Sequence, residues 1–373
     1  MVLFCLLFTA MVMYAVRGGA IDGLYFYPKA VQERAIDIGL ITKETMQCSM
    51  RPIRRCGMAV FINKSTQIDF KLPATDCGNE GKMKWIVYDD LFHAGYIDIW
   101  SRYLPETIFR STSFKNQDTV PVKINYCFRG RCEVLLNSGV TTFVVGDELA
   151  IDYGTSQNNE EAFFYPTAEY EGIELILYPS EELGKILSFN GKENIINEIT
   201  KKCTDRSIPF ITVAEERIRR CAEDLKDDIL GQTDSNLLLM DIIKLLYLIN
   251  GMSFKSDKRR TFCTSSQVDI AKEALEIISA DLSKRHSAAE LAASFGISES
   301  SLKNYFRAVF GKGYSEIISE IRMRKAAELI RENKENLGKI AETVGYQNQS
   351  RFSEAFLKYH KVLPMEYKRI SRC

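Results

Sequence analysis

A pattern that occurs twice in the last quarter of the chain constrains the fold more than any other feature. Residues 287–312 read SAAELAASFGISESSLKNYFRAVFGK. Leu291, Ala292 and Phe295 mark the apolar side of a short helix that stops at Gly296, and Ser298 stands where its hydroxyl can cap the next helix. That helix carries Leu302, Phe306, Val309 and Phe310 at i, i+4, i+7 and i+8, one face of a 3.6-residue repeat. Helix, glycine turn, helix is the layout of a helix-turn-helix, although one copy alone suits an αα-hairpin with no partner equally well. The second copy tips the choice: residues 338–361, GKIAETVGYQNQSRFSEAFLKYHK, repeat it with Ile340, Ala341 and Val344, Gly345 in the turn, then Phe352, Ala355, Phe356 and Tyr359. Between the copies, EIISEIRMRKAAELIR at 316–331 predicts one amphipathic helix. Two such units on a rigid spacer can present their second helices to successive major-groove segments, about 34 Å apart on one side of a duplex.

Charge agrees once it is divided. The 373 residues hold 49 Lys plus Arg and 49 Asp plus Glu, a neutral total that argues against attraction to a polyanion. Residues 280–373, however, carry 17 basic and 11 acidic side chains, leaving 32 and 38 before them. A basic segment beside an acidic one is the mark of one domain that meets a polyanion and another with a different task. The length predicts two or three domains, and 46% hydrophobic with 26% charged residues excludes wholesale disorder.

The rest of the chain changes period as it proceeds. From 58 to 179 short runs rich in β-branched and aromatic residues alternate with turn residues: KMKWIVY at 82–88, VKINYCF at 122–128, CEVLL at 132–136, TTFVV at 141–145 and GIELILY at 172–178. They predict a sandwich or barrel, with hairpin turns at Gly130 and at Asn137-Ser138-Gly139. Helical periodicity then covers 180–203, 213–230 and 235–250, a connecting or dimerisation region within 180–254. The polar, basic stretch 255–266 reads as a linker, in which Lys258, Arg259 and Arg260 form either a solvated charge run or phosphate contacts.

Ten scattered cysteines without a CxxC pair read as reduced thiols of a cytoplasmic protein. Three His residues, His93, His286 and His360, supply an imidazole metal site poorly, so no metal and no cofactor is expected. The apolar run at 2–16 is short for a bilayer span and lacks a basic n-region. It reads as a mis-called start, with Met11, Met13 and Met46 as later candidates, or as a weak signal anchor; residues 1–57 stay unassigned.

With the two units in place, the chain resembles the AraC/XylS family of bacterial transcription regulators over about 268–370. The resemblance is carried by ELAASFGIS and LKNYFRAVFGK, then RMRKAAELI, IAETVGYQNQSRFSEAF and the closing Pro364, Tyr367 and Lys368. Tyr314 stands where many members have Pro, His360 where Phe is usual and Lys361 where Gly is usual, which puts the last helix end in doubt. The resemblance implies which residues face DNA, and the helical wheel agrees: Ser300, Lys303 and Asn304 in the first unit, and Gln349, Ser350, Arg351, Ser353 and Glu354 in the second, are candidates for base edges. Arg307, Arg322, Arg324 and Lys358 are candidates for phosphates.

Residues 80–179 also resemble the cupin-like sensor halves of some members, through INYCFRGRCEVLL, VVGDELAIDYG and FFYPTAEYEGIEL. Tyr126, Phe128, Phe163, Tyr165 and Tyr170 are the candidate effector-pocket residues, against the plainer reading of core aromatics. The expected protein is thus multidomain α+β: a β-rich cupin-like domain at 58–179, a helical connection, and an all-α domain at 267–373 with two helix-turn-helix units joined by a linker helix. Its expected role is a non-enzymatic, sequence-specific regulator of transcription that binds double-stranded DNA. RNA polymerase, a small-molecule effector and a second copy of the chain are possible further partners. The alternative is a DNA-binding module fused to a thiol-based enzymatic or redox-sensing domain, with Cys56 beside Arg54 and Arg55 as nucleophile.

Overall fold

The computed structural model describes residues 65–371 except 72–80, 89–90, 104–118, 157–163, 188–193, 232–234 and 255–259. The apolar run at 2–16, Cys56, Phe163, Lys258 and Arg259 lie outside the described residues.

An antiparallel sheet occupies the first half. Its strands are β1 (Ser65–Lys71), β2 (Lys82–Tyr88), β3 (Phe92–Ile99), β4 (Val122–Leu135), β5 (Val140–Val145), β6 (Glu148–Tyr153) and β7 (Tyr170–Leu177). They run in the order β1-β2-β3-β7-β4, and β4 also pairs with β6 and, through its far end, with β5. Alternation sorts the side chains: Ile173, Leu175 and Leu177 of β7 join Val122, Ile124 and Tyr126 of β4 in one core, while Tyr170 and Cys127 point the other way, to Trp85, Ile97 and Tyr165.

Helices cover the first of these faces: α1 (Glu181–Ile186), α2 (Ile195–Thr204), α3 (Glu216–Gly231) and α4 (Ser235–Gly251). Leu238, Ile242, Leu245, Leu246 and Ile249 of α4 are all buried, as the spacing predicts. Two expectations need correction here. The helix read over 180–203 is two helices, α1 and α2, each started by a side-chain cap, Ser180 and Asn194. The helix read from 213 starts at Glu216, because β8 (Phe210–Val213) precedes it and pairs with β6. The β domain therefore reaches past 179; a four-residue strand between helices is too short to leave a periodic signal.

The turn residues divide in the same way. Asn137 and Ser138 with Gly139, at φ +76°, do make the β4–β5 turn. Gly130 makes none: it lies within β4 at φ +89°, beside the register shift between Cys127 and Arg129, where a Cβ would stand 2.1 Å from Glu169 O.

The polar stretch before the C-terminal domain is pinned to the sheet. Cys263–Thr264 form β9 on β5, Thr142 Oγ1 donates to Thr261 O (3.1 Å), and Arg260 pairs with the buried Glu148 (3.0 Å) while donating to Phe143 O (2.8 Å). Arg260 is thus an internal group rather than a solvated charge. Thr264 then caps α5 (Ser265–Ala280) in a capping box with Gln267.

The remaining helices are α6 (Ala288–Ser294), α7 (Glu299–Phe310), α8 (Tyr314–Glu332), α9 (Leu337–Thr343), α10 (Gln349–His360) and α11 (Pro364–Ile370). They fill two cores. Leu291, Leu302, Phe306 and Phe310 pack with Val268, Leu275 and Ile278 of α5; Ile340, Val344, Phe352 and Phe356 pack with Met323, Ala327 and Ile330 of α8.

The family departures have physical answers. Tyr314 packs on Phe306 (ring centroids 4.9 Å) and donates to His286 O (3.2 Å). His360 packs tilted against Phe356 (ring centroids 4.3 Å), and its Nε2 donates to Met323 O (3.1 Å). Lys361 holds the left-handed helix end at φ +63° that glycine would hold without strain.

Replacing Lys361 by Gly is therefore expected to stabilise the chain by about 0.5–1 kcal/mol, read from denaturant unfolding. Burial depresses the His360 pKa below the ordinary 6.5. The unfolded chain then takes up a proton that the folded one resists, so stability is complete above about pH 6.5 and declines as pH falls toward the depressed value. Comparing unfolding midpoints from pH 7 to pH 5, His360→Phe is expected to have a flatter slope than the unsubstituted chain.

Candidate nucleic-acid interface

The internal repeat extends to individual hydrogen bonds. In the first unit Gly296 N donates to Ala293 O and Ile297 N to Ala292 O; in the second Gly345 N donates to Glu342 O and Tyr346 N to Ala341 O. Both glycines have positive φ, +66° and +80°, the backbone that this helix ending requires. Each following helix is capped from outside its first turn: Ser298 Oγ accepts from Ser301 N (3.1 Å) and Asn348 Oδ1 from Ser350 N (2.7 Å). The turn and cap fix the direction in which α7 and α10 leave the core.

Their buried faces fix the rotation. Leu302, Phe306, Val309 and Phe310 turn inward, which leaves Ser300, Lys303, Asn304 and Arg307 exposed along the opposite side of α7. Lys303 makes an exposed pair with Glu299 (2.5 Å), a contact worth little and easily exchanged for another anion. In α10 Phe352 and Phe356 turn inward, and Gln349, Ser350, Arg351, Glu354 and Lys358 are exposed. Ser353 is half-buried and donates to Gln349 O (2.9 Å), so it sits at the edge of this face.

Two of the expected phosphate residues are placed elsewhere. Arg322 is half-buried in the seam between the units: it donates to Lys284 O (2.8 Å) before the first unit and to Gly345 O (3.4 Å) in the turn of the second. Arg324 is half-buried too, and donates to Glu320 (2.7 Å), Tyr359 Oη (3.1 Å) and Thr167 O in the β domain (3.1 Å). The helical wheel misses this because both lie on the polar side of α8, which other elements cover. Gly345 seals the same seam, since a Cβ there would stand 2.4 Å from Leu282 O.

The candidate pocket aromatics divide between the two faces of the sheet. Tyr126 and Phe128 stack edge to face (4.9 Å) on the helix-covered side, whereas Tyr165 and Tyr170 lie together (4.9 Å) on the other. The four do not line one cavity. Beside Tyr170, Asn125 donates from Nδ2 to its hydroxyl (2.6 Å). Among the described residues, burial makes Cys127, Cys221 and Cys203 poor nucleophiles, pushing the first two up to about 12 and the third to about 11. Among the described residues no cluster of His, Cys, Asp and Glu has the makings of a metal site, and no helix is long and apolar enough to cross a membrane.

Contacts from the β domain to the first unit leave no trace in local sequence. Phe143 and Phe164 belong to the same core as Leu302 and Phe310, with Phe164 edge-on to Phe310 (6.3 Å). Glu133 pairs with Lys272 of α5 (3.2 Å), whose ammonium also lies over the Phe164 ring (4.2 Å). Arg131 donates to Ala308 O near the end of α7 (2.6 Å). These pairs are separated by more than a hundred positions in the chain, and only the fold brings them together.

Comparison with known proteins bears on the same segment. A helix-turn-helix domain family matches residues 291–370. The transcriptional regulator SirC of Salmonella typhimurium is 29% identical over 125 residues, 34% of this chain and 42% of that protein. The HTH-type transcriptional activator CfaD of Escherichia coli is 25% identical over 126 residues, 34% of this chain and 47% of that protein. The chain thus spans less than half the length of these curated relatives. Among solved structures, the C-terminal domain of AraT, a response regulator from Geobacillus stearothermophilus, is 31% identical, covering 28% of this chain and 88% of that one at a TM-score of 0.27. By its duplicated turns, its shared linker helix and the family match over 291–370, the C-terminal part of the chain is a helix-turn-helix domain of the AraC type.

Proposed function

We propose that the chain is a sequence-specific DNA-binding regulator of transcription, with α7 and α10 reading successive major-groove segments of one site. The observation that carries the reading is the pair of exposed polar helix faces, each set by the same turn and cap and both fixed to α8. In this reading Lys303 and Arg351 suit guanine O6 and N7, Asn304 and Gln349 suit adenine, and Glu354 accepts from cytosine N4, with Ser300, Ser350 and Ser353 as adaptable partners. Arg307 and Lys358, exposed on the same helices, meet phosphates. Arg322 and Arg324 serve by holding the units in register.

The β domain is the sensing or pairing half. The face bearing Asn125, Cys127, Tyr165 and Tyr170 is the better candidate for a cupin-like effector site, because it is the one that α1–α4 leave uncovered. A second copy of the chain and RNA polymerase are the further partners of this reading, its place is the cytoplasm, and its role is regulatory rather than enzymatic.

Selection of duplexes from a random pool by the full chain tests the proposal. It is expected to return a shared two-part sequence, bound with a log-log salt slope of about −0.9 per phosphate contact. Lys303→Ala and Arg351→Ala are each expected to cost about 1–3 kcal/mol of discrimination, at one base position of different halves of that site. Recovery of unrelated sequences would refute it.

A further inference from the structure

We infer that Arg131, a residue of the β domain, positions the first reading helix on DNA. This rests on the DNA-reading role proposed above and adds to it a residue that never touches the duplex. The last carbonyls of a helix have no partner within the helix and carry its partial negative charge. At the end of α7, Gly311 N closes on Arg307 O in a left-handed turn at φ +74°, and Ala308 O is left for another donor. Arg131 Nη2 fills that place at 2.6 Å. Its guanidinium lies over the Phe143 ring (4.4 Å to the centroid), itself part of the first unit's core, and Nη1 stands 3.3 Å from where a Cβ on Gly311 would be. Any residue but glycine at 311 would thus crowd the cation as well as strain the turn.

Burial lowers the Arg131 pKa to about 10, so the group still carries its charge at neutral pH. A half-buried cation on a helix end is a fixed contact rather than a surface accident, since its loss leaves the Ala308 carbonyl without that donor. Two residues further along β4, Glu133 holds Lys272 of α5, so the same strand grips the first unit at two helices. The second unit is tied differently: among the described residues its core contains none from the β domain, and the tie to that domain runs from α8, through Arg324 to Thr167 O. Upstream on β4, Asn125 and Cys127 face the side proposed for an effector, and the register shift between Cys127 and Arg129 separates the two ends. One strand therefore connects the proposed sensing face to the end of a reading helix. Because Ser300, Lys303, Asn304 and Arg307 stay exposed while this contact is made, it orients the helix without covering it.

The test uses the full chain and the duplex it selects from a random pool. Bases that respond to Lys303→Ala define the first half of the site, and those that respond to Arg351→Ala the second. Arg131→Met, which keeps the packing on Phe143 and removes the donor, is expected to weaken binding roughly tenfold. Base preference should fall in the first half only. Arg131→Lys, which keeps the cation with one point-like donor head, should show the same one-sided loss at smaller size and serves if the Met variant does not fold. Unchanged preference in both halves, or equal loss in both, overturns the positioning role alone. If the unsubstituted chain selects no shared sequence, the DNA-reading role falls and this inference falls with it.

Discussion

The arrangement depends on one helix being asked to serve two cores. α8 gives Tyr314 and Ile317 to the first unit and Met323, Ala326, Ala327 and Ile330 to the second, so neither unit can shift without exposing part of it. Its polar side is equally committed. Glu320 is buried, held by Lys312 (2.6 Å) and Arg324 (2.7 Å), and Arg322 ties the loop before the first unit to the turn of the second. Hydrophobic burial supplies the stability and these charge-assisted bonds supply the geometry: a greasy seam would tolerate sliding, whereas a guanidinium between two backbone carbonyls does not.

The β domain is joined to this body in the same manner. The chain between them is strand at Cys263–Thr264, its Arg260 is paired with Glu148, and two phenylalanines cross into the helical core. Polar composition suggested a tether. The polar groups of 260–264 are spent on the sheet instead, because a segment next to an open strand edge gains more from pairing than from solvent.

How much of this was legible in the sequence follows from how far each determinant reaches. The two helix-turn-helix units were legible in detail: Gly296, Gly345, Ser298 and the apolar spacings act within a turn or two of helix, and the exposed faces of α7 and α10 follow from them. The runs at 82–88, 122–136, 141–145 and 172–178 fall on strands, but β3, β6 and β8 were not picked out, β8 being four residues between helices. Gly130 was misread because glycine marks both hairpin turns and points of close backbone approach, and only Glu169 tells them apart. Arg322 and Arg324 look like surface cations to any local rule; apart from Glu320 beside Arg324 on α8, their partners Lys284 O, Gly345 O, Tyr359 and Thr167 O lie on other elements. The described pocket aromatics divide because Tyr126 and Tyr170 sit on opposite faces of paired strands, a matter of register that composition does not carry.

Thr264 is at once the last residue of β9 and the cap of α5, and the first unit's core is closed by Phe143 and Phe164. This sets where the protein can be divided. A cut between sheet and helices passes through a shared core and a shared hydrogen-bonding residue, so a helical domain transplanted from that point would carry an apolar scar where two aromatic rings had been. The core of the second unit, built on the α8 residues Met323, Ala327 and Ile330, takes in no β-domain residue among those described. Modularity in this chain is therefore uneven. The first unit is built as an extension of the sheet, whereas the second is held through α8 and the Arg322 seam to the first.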